Sequence, residues 1–242
     1  MPTEGDGTFP FPTRYTHMAA LATAFEWGRL KMQASVLGYF VHEKVERFEA
    51  RPDKAVATPA FFGSFKVLKN HDLSVRAFYK RMFRMPTFND LYYADMGNSK
   101  LNPESALQYD LGFVLNKDWK QGIVDHLRLQ VDGYYNTVYD KIVAYPKGQQ
   151  FRWTMLNLGK VHIKGVDAMA EVGLEPAKDW KVTARLQYTY QDARDVTDPN
   201  TSYYKDQIPY IPWHSGSAIL GLSWRELDLA YSFIYSGERY SQ

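Results

Sequence analysis

Ten stretches of this chain alternate apolar and polar residues with a period of two, and most are longer than a usual strand. The cleanest sets Leu127, Leu129, Val131, Gly133 and Tyr135 against Arg128, Gln130, Asp132, Tyr134 and Asn136. The same reading places strands over Tyr15–Trp27, Leu30–Phe40, Phe61–Val67, Leu73–Phe83, Leu107–Leu115, Phe151–Leu174, Val182–Tyr190, Gly216–Trp224 and Leu227–Tyr235. In the seventh, the apolar set moves onto Val166, Ala168, Ala170 and Val172, so a bulge is expected at Gly165. Period two fixes side chains to opposite faces of a sheet. The predicted fold class is therefore all-β, an antiparallel meander of about ten long strands.

The connections alternate between short and long. Short turns fall at Gly28-Arg29, Lys69-Asn70, Lys117 to Val124, Glu175 to Lys178 and Arg225-Glu226. Long ones cover His42 to Pro59, the region between Arg84 and Gly112, the Tyr145–Gly148 region, and Asp192 to Trp213. A transmembrane β-barrel sorts its connections this way, with tight turns on the periplasmic rim and long loops outside. A β-sandwich has no reason to, and its strands are usually shorter. No apolar run reaches 18 residues, which excludes a transmembrane helix, while a mean hydropathy of −0.44 is compatible with alternating barrel strands.

Composition narrows the function. Lys and Arg number 29 against 27 acidic residues, spread along the chain, which gives no concentrated basic face for nucleic acid. Aromatics make up 16% of the residues, more than a core requires and suited to rings at a membrane–water interface. With no cysteine, disulfides, thiolate metal sites and cysteine nucleophiles are all absent. The opening MPTEGDGTFPFP has no charged n-region or apolar h-region, so no export signal is expected in the chain as written. Residues 1–14 read as an irregular lead-in and 15–242 as one barrel domain.

The six histidines are scattered, and His42-Glu43-Lys44-Val45-Glu46 lacks the second histidine of a zinc-protease helix. Without a phosphate loop or a nucleophile elbow, catalysis is not expected. Asp192, Asp195, Asp198 and Asn200 could offer calcium hard oxygens, but their spacing does not fit an alternate-position loop; solvation or lipopolysaccharide contact is the simpler expectation. Tyr92, Tyr93, Asp95, Tyr203, Tyr204 and Trp213 fall in predicted extracellular loops, as candidates for a substrate vestibule, or else for an interfacial aromatic girdle or loop self-packing. Arg76, Arg128, Asp132, Arg185 and Gln187 fall on the polar, inward face.

The loop after the fourth strand carries more than turn chemistry. Arg84, Pro86, Thr87, Phe88, Asn89, Asp90, Leu91 and Tyr92, then Gly97-Asn98, then Leu101, Asn102, Pro103 and Glu104 leading to Tyr109 and Gly112, resemble the mid-barrel pattern of TonB-dependent outer-membrane receptors. Asn157-Leu158-Gly159 with Gly165-Val166-Asp167 resembles a second stretch of that family, with Asp where Glu is usual, and Ile208–His214 resembles a later strand entry. The resemblance covers roughly Phe61 to Gln242. It implies an outer-membrane importer of a scarce, bulky nutrient such as a siderophore-iron complex or cobalamin, with no resident cofactor. Its implied partners are outer-membrane lipid and lipopolysaccharide, a plug domain, and the TonB energy-coupling protein. Plug, coupling segment and closing strands are not found in this chain, so the expectation is a fragment of a 22-strand barrel. A passive porin-like or adhesin barrel is the alternative, and a soluble carbohydrate-binding β protein the third reading.

Overall fold

The computed structural model describes residues 10–46, 50–68, 72–93, 96–146 and 153–240. Among them lie ten strands: β1 (Pro12–Trp27), β2 (Leu30–Val45), β3 (Lys54–Lys66), β4 (Asp72–Arg84), β5 (Glu104–Asp118), β6 (Val124–Pro146), β7 (Trp153–Leu174), β8 (Trp180–Asp195), β9 (His214–Trp224) and β10 (Leu227–Ser236). One short helix, α1 (Phe88–Tyr92), follows β4. The strands form a single antiparallel sheet in chain order, the expected meander, with β1 and β10 at its edges. No described helix is long and apolar enough to cross a membrane.

Several boundaries differ from those read in the sequence. The polar stretch His42 to Pro59 is mostly strand, because β2 runs on to Val45 and β3 starts at Lys54. Pro59 sits inside β3 opposite Val36 of β2, while pairing to β4 begins only at Ala60 with Lys80. The side of Pro59 that lacks a donor thus faces no neighbour. Strand β1 already includes Pro12, Thr13 and Arg14, with Arg14 level with Glu43. Asp192 and Asp195 end β8 instead of opening a loop. The expected turn at Lys69-Asn70, the positions Lys147, Gly148 and Phe151, and Asp95 lie outside the described residues.

No bulge occurs at Gly165. Pairing with β6 runs without a shift from His126↔Gly173 past Gly133↔Val166 and Tyr134↔Gly165, and the one irregularity lies at Val124/His126. The apolar switch has another cause. Val161 and Ile163 keep the inward parity of Asp167, but at this height they are buried against Val138, Ala193 and Ile208. The inner face becomes apolar where the loop after β8 folds over it.

The ladder also gives the inclination of the strands. Trp27 beside the first turn and Trp180 beside the fourth mark the rim with the short connections. Pairing in register carries Trp27 across seven strand steps to Tyr188 of β8, eight residues beyond Trp180. Eight residues at ~3.3 Å over seven spacings of ~4.8 Å correspond to a tilt of about 40°, within the range of barrel walls. From Trp180 to Tyr190 the outward face of β8 spans ten residues, ~33 Å along the strand and ~25 Å after tilting, the height of a lipid-facing band. Outward residues in the band are exposed and apolar, including Leu111, Phe113, Val131, Leu186, Leu220 and Phe233. Rings border it: Trp180 stacks on Trp224 at 5.5 Å at one rim, and Phe61, Tyr79 and Tyr109 contact in series at 6.3 and 5.2 Å at the other.

The inner face is polar and bonded across strands. Arg76 of β4 reaches over Gly112 of β5 to both carboxylate oxygens of Asp132 on β6, at 2.7–3.0 Å, and Gln130 adds a bond to the same carboxylate at 2.7 Å. Glu171 holds Arg185 and accepts from His126, and Gln187 accepts from Ser217 at 3.1 Å. Four of the five polar residues expected inside therefore sit in this network, and Arg128 pairs with Asp118 at 2.5 Å near the turn. Gly112 makes the longest reach possible, since a Cβ there would lie 1.9 Å from Asp132 Oδ1. Gly112→Val should lower the stability of the protein by about 3 kcal/mol, the scale of a broken buried ion pair, measured by urea titration of its folded form. A change below ~0.5 kcal/mol would mean that the pair is dispensable.

Candidate functional site

The loop between β4 and β5 is folded, not a slack connection. Thr87 caps α1: its hydroxyl accepts from Asp90 N at 3.1 Å, and the Asp90 carboxylate accepts from Thr87 N at 2.8 Å. After the helix the chain turns at Gly97, where a Cβ would meet Tyr93 N at 2.6 Å, so only glycine fits. Asn98 N then bonds Asp90 O at 2.8 Å. Leu91 and Leu101 bury themselves against Ile142 of β6, with Phe88, Tyr92 and Met155 around them. Arg84 and Glu104 face each other at the loop's base, 3.5 Å apart.

This loop is latched to the ends of β6 and β7 by asparagines more than fifty residues apart in sequence. Asn157 Oδ1 accepts from Asn102 N at 2.7 Å, and Asn157 Nδ2 donates to Asn102 O at 3.2 Å and Asp140 O at 2.7 Å. Asn98 Nδ2 donates to Met155 O at 2.9 Å, and Ile142 N donates to Glu104 Oε2 at 3.0 Å. Asp140 has φ 52°, a left-handed residue within β6 that leaves its carbonyl to Asn157.

A second tie fixes the other side of the loop. Arg14 of β1 donates to Glu43 at 2.6 Å and to Pro86 O at 2.7 Å, and its guanidinium lies 4.9 Å from the Phe88 ring. Arg51 donates to Leu101 O. Burial, opposed by nearby Glu43, holds the Arg51 guanidinium below its usual value, and burial with the charge of Glu43 raises the Tyr92 phenol. The sequence singles out none of Arg14, Arg51 and Asp140, and Glu43 only as part of the His42–Glu46 stretch that lacks a second histidine. Only the register shows Arg14 level with Glu43, and nothing local marks Asp140 as left-handed.

Beside the latch, the ends of β6 and β7 and the loop after β8 enclose a cavity of about 890 Å3. Tyr145, Tyr203, Tyr210 and Trp213 supply rings, Leu156 and Leu158 an apolar wall, and Arg194, Lys205 and Asp206 charge. Trp213 meets Tyr240 edge-on at 5.4 Å, and Trp153 packs on Tyr210 at 5.9 Å. Of the six vestibule candidates, Tyr203 and Trp213 line this cavity. Tyr204 lies outside its lining under Lys205, Tyr93 is exposed, and Tyr92 belongs to the apolar cluster of the latch. Asp192 pairs with Lys164 and Arg194, Asp195 accepts from Thr197, and Asp198 accepts from Asn200 N. Among the described residues no three His, Cys, Asp or Glu side chains converge to hold a metal ion.

The profile of the TonB dependent receptor-like β-barrel family matches residues 11–242. The chain belongs to that family. It is 28% identical over 118 residues, 48% of this chain, to the vitamin B12 transporter BtuB of Vibrio vulnificus (strain YJ016), of which the match covers 17%. Its fold is similar to the copper transporter OprC at TM-score 0.65 and 20% identity, covering 92% of this chain and 34% of that one. It is similar also to the FrpB iron transporter of Neisseria meningitidis (F3-3 variant), at TM-score 0.60, 14% identity and coverages of 92% and 32%. The chain thus spans well under half the length of each of these relatives. Of the stretch between Arg84 and Gly112, Asn98, Asn102 and Glu104 close on the strands around Asn157.

Asn157→Ala removes one acceptor and two donors of the latch. Amide exchange over residues 96–103 should quicken at least tenfold, about 1.4 kcal/mol or more, while β8 to β10 keep their protection. Equal exchange in both proteins would show that the asparagine bonds do not hold the loop. Tyr92 gives a pH signature. Its folded phenol titrates above the usual 10.0, so the opened loop ionises first and the latch weakens as pH rises past that value. In Tyr92→Phe, that part of the alkaline loosening of exchange should vanish.

Proposed function

We infer that this chain forms part of the wall of an outer-membrane, TonB-dependent importer of a scarce, bulky nutrient, and that the cavity beside the latch is where the ligand is first held. The observation that carries the reading is placement. The cavity opens on the rim that bears the long loops, and it combines aromatic rings with a few charges, the composition of a site for a large ligand of mixed polarity. The named relatives transport vitamin B12, copper or iron, and family membership supports a plug domain inside the polar face and energy from TonB. No residue of the segment is assigned a catalytic part.

In this reading the inner network of Arg76, Asp132, Glu171 and Arg185 keeps the wall rigid while the plug moves. The latch keeps the β4–β5 loop off the entrance. Asn157 both lines the cavity and holds Asn102, so ligand contact and loop position meet at one side chain.

Uptake by cells carrying the full-length receptor tests the reading, with iron chelates and cobalamin as probes. Trp213→Ala with Tyr203→Ala should weaken capture of the transported probe about tenfold or more, as expected for lost aromatic contacts in a desolvated pocket, without changing the amount of folded receptor. Transport of a probe that survives deletion of TonB would favour a passive barrel instead. Unaltered affinity in the double variant would move the ligand site elsewhere.

A further inference from the structure

The sheet is not paired along its whole height. Strands β3 and β4 pair from Lys66↔Ser74 up to Ala60↔Lys80 and no further, although β3 begins at Lys54 and β4 runs on to Arg84. Lys66 N bonds Arg29 O at 3.0 Å, and Val67 N bonds Leu73 O at 2.8 Å. Even-numbered residues of β3 therefore turn their N–H and C=O to β2, and odd-numbered ones turn theirs to β4. The next pair in register would set Pro59 against Arg81, and proline has no N–H to give. Beyond it, Ala57 and Ala55 aim both backbone groups at a neighbour that has left the ladder.

The seam is held in place by its surroundings. Phe83 has the outward parity of β4, yet its ring lies 5.9 Å from Tyr39, which has the inward parity of β2. Above Lys80, β4 has thus crossed toward the inner side of the sheet. Arg14 on Pro86 O and Arg51 on Leu101 O pin the loop that follows in that position. The seam opens one row above the ring series Phe61, Tyr79 and Tyr109, where the apolar band ends. Ala55 and Ala57 are exposed, and so are Lys54, Lys80 and Arg81, which make no ion pair among the described residues. The acids adjoining these stretches are engaged: Asp53 by His42 at 2.7 Å, and Glu104 by Arg84 at 3.5 Å.

We propose that an acidic, extended segment of another polypeptide adds to β3 at this edge, pairing with Ala55, Ala57 and the carbonyl of Pro59. A free strand edge offers main-chain bonds to any extended peptide, and the side chains around it decide which one stays. Here the edge carries two alanines, which leave room for the side chains of an added strand, and three uncompensated cations, which select acids. Pro59 stops the added strand from running down toward the band, so the site spans Pro59 to Ala55, ~13 Å. Charge decides against a second copy of this chain, because pairing the same edge twice would set Lys54, Lys80 and Arg81 against themselves. The seam is separate from the cavity beside β6 and β7, and loss of ligand uptake would leave it untouched.

The test uses the full-length protein in detergent and, as probe, a fluorescent heptapeptide of alternating Glu and Val. Saturable binding is expected, and excess peptide should slow amide exchange at Ala57 at least tenfold while leaving Val131 unchanged. Ala57→Pro removes an N–H that faces away from β2, so heat-modifiable migration should persist while affinity falls at least tenfold. Lys54→Gln combined with Arg81→Gln should lower affinity at least threefold. If Ala57→Pro fails to fold, the wild-type protein carries the test: the same peptide with every amide N-methylated keeps its charges and should bind at least tenfold more weakly. No saturable binding, wild-type affinity in a folded Ala57→Pro variant, or equal binding of the N-methylated peptide would overturn the proposal. A dimer of the protein that Ala57→Pro dissolves and the peptide does not would also overturn it, in favour of a second copy.

Discussion

A backbone that crosses lipid has no water to satisfy its N–H and C=O groups, so every one must be bonded within the protein. An unbroken ladder is the consequence, and it governs the rest of this sheet. Strands β6 and β7 pair over more than twenty positions with one irregularity, confined to the turn end. Because the register holds for so long, a side chain's parity decides whether it meets hydrocarbon or the wet interior. Leu129 and Val131 fall on one side, Gln130 and Asp132 on the other. The tilt of about 40° is the same constraint in another direction, because a sheet that must close has to stagger its strands.

The polar face cannot be left to water alone, since it must stay rigid beside whatever fills the barrel. Arg76, Asp132, Glu171 and Arg185 bond across strands, and Gly112 is small so that one such bond can pass. Beyond the membrane the need changes. A nineteen-residue connection costs chain entropy, which the loop after β4 recovers locally with a capped helix, an apolar cluster and four side-chain bonds to β6 and β7. Each bond stabilises by about 1 kcal/mol, so the loop is ordered by their sum and by the burial of Leu91 and Leu101.

The sheet was largely legible in the sequence. Ten strands, their order, the alternation of turns and the inward polar set all follow from a period of two, which survives any tertiary context that keeps one face in lipid. The ends of strands were not legible. His42 to Pro59 reads as loop because its polar residues stand above the membrane, where a strand no longer needs an apolar side, and Pro59 is harmless only because pairing to β4 has stopped. The bulge inferred at Gly165 fails for a related reason: Val161 and Ile163 are apolar and still inward, covered by a distant loop. Of the site, Tyr203 and Trp213 could be found as loop aromatics. Tyr92 looked the same in one dimension yet belongs to the latch, and the pairing of Asn102 with Asn157 depends on register across strands.

The claim beneath all of this is that one face of the ribbon meets lipid and the other does not. The chain contains no cysteine, so a single thiol can be placed at each position from Leu127 to Tyr135 and spin-labelled in the full-length receptor in bilayers. Labels at 127, 129, 131, 133 and 135 should favour collision with oxygen dissolved in the membrane, and those at 128, 130, 132 and 134 should not. A profile without that two-residue alternation, or with a water-soluble nickel chelate reaching both sets equally, would contradict the account.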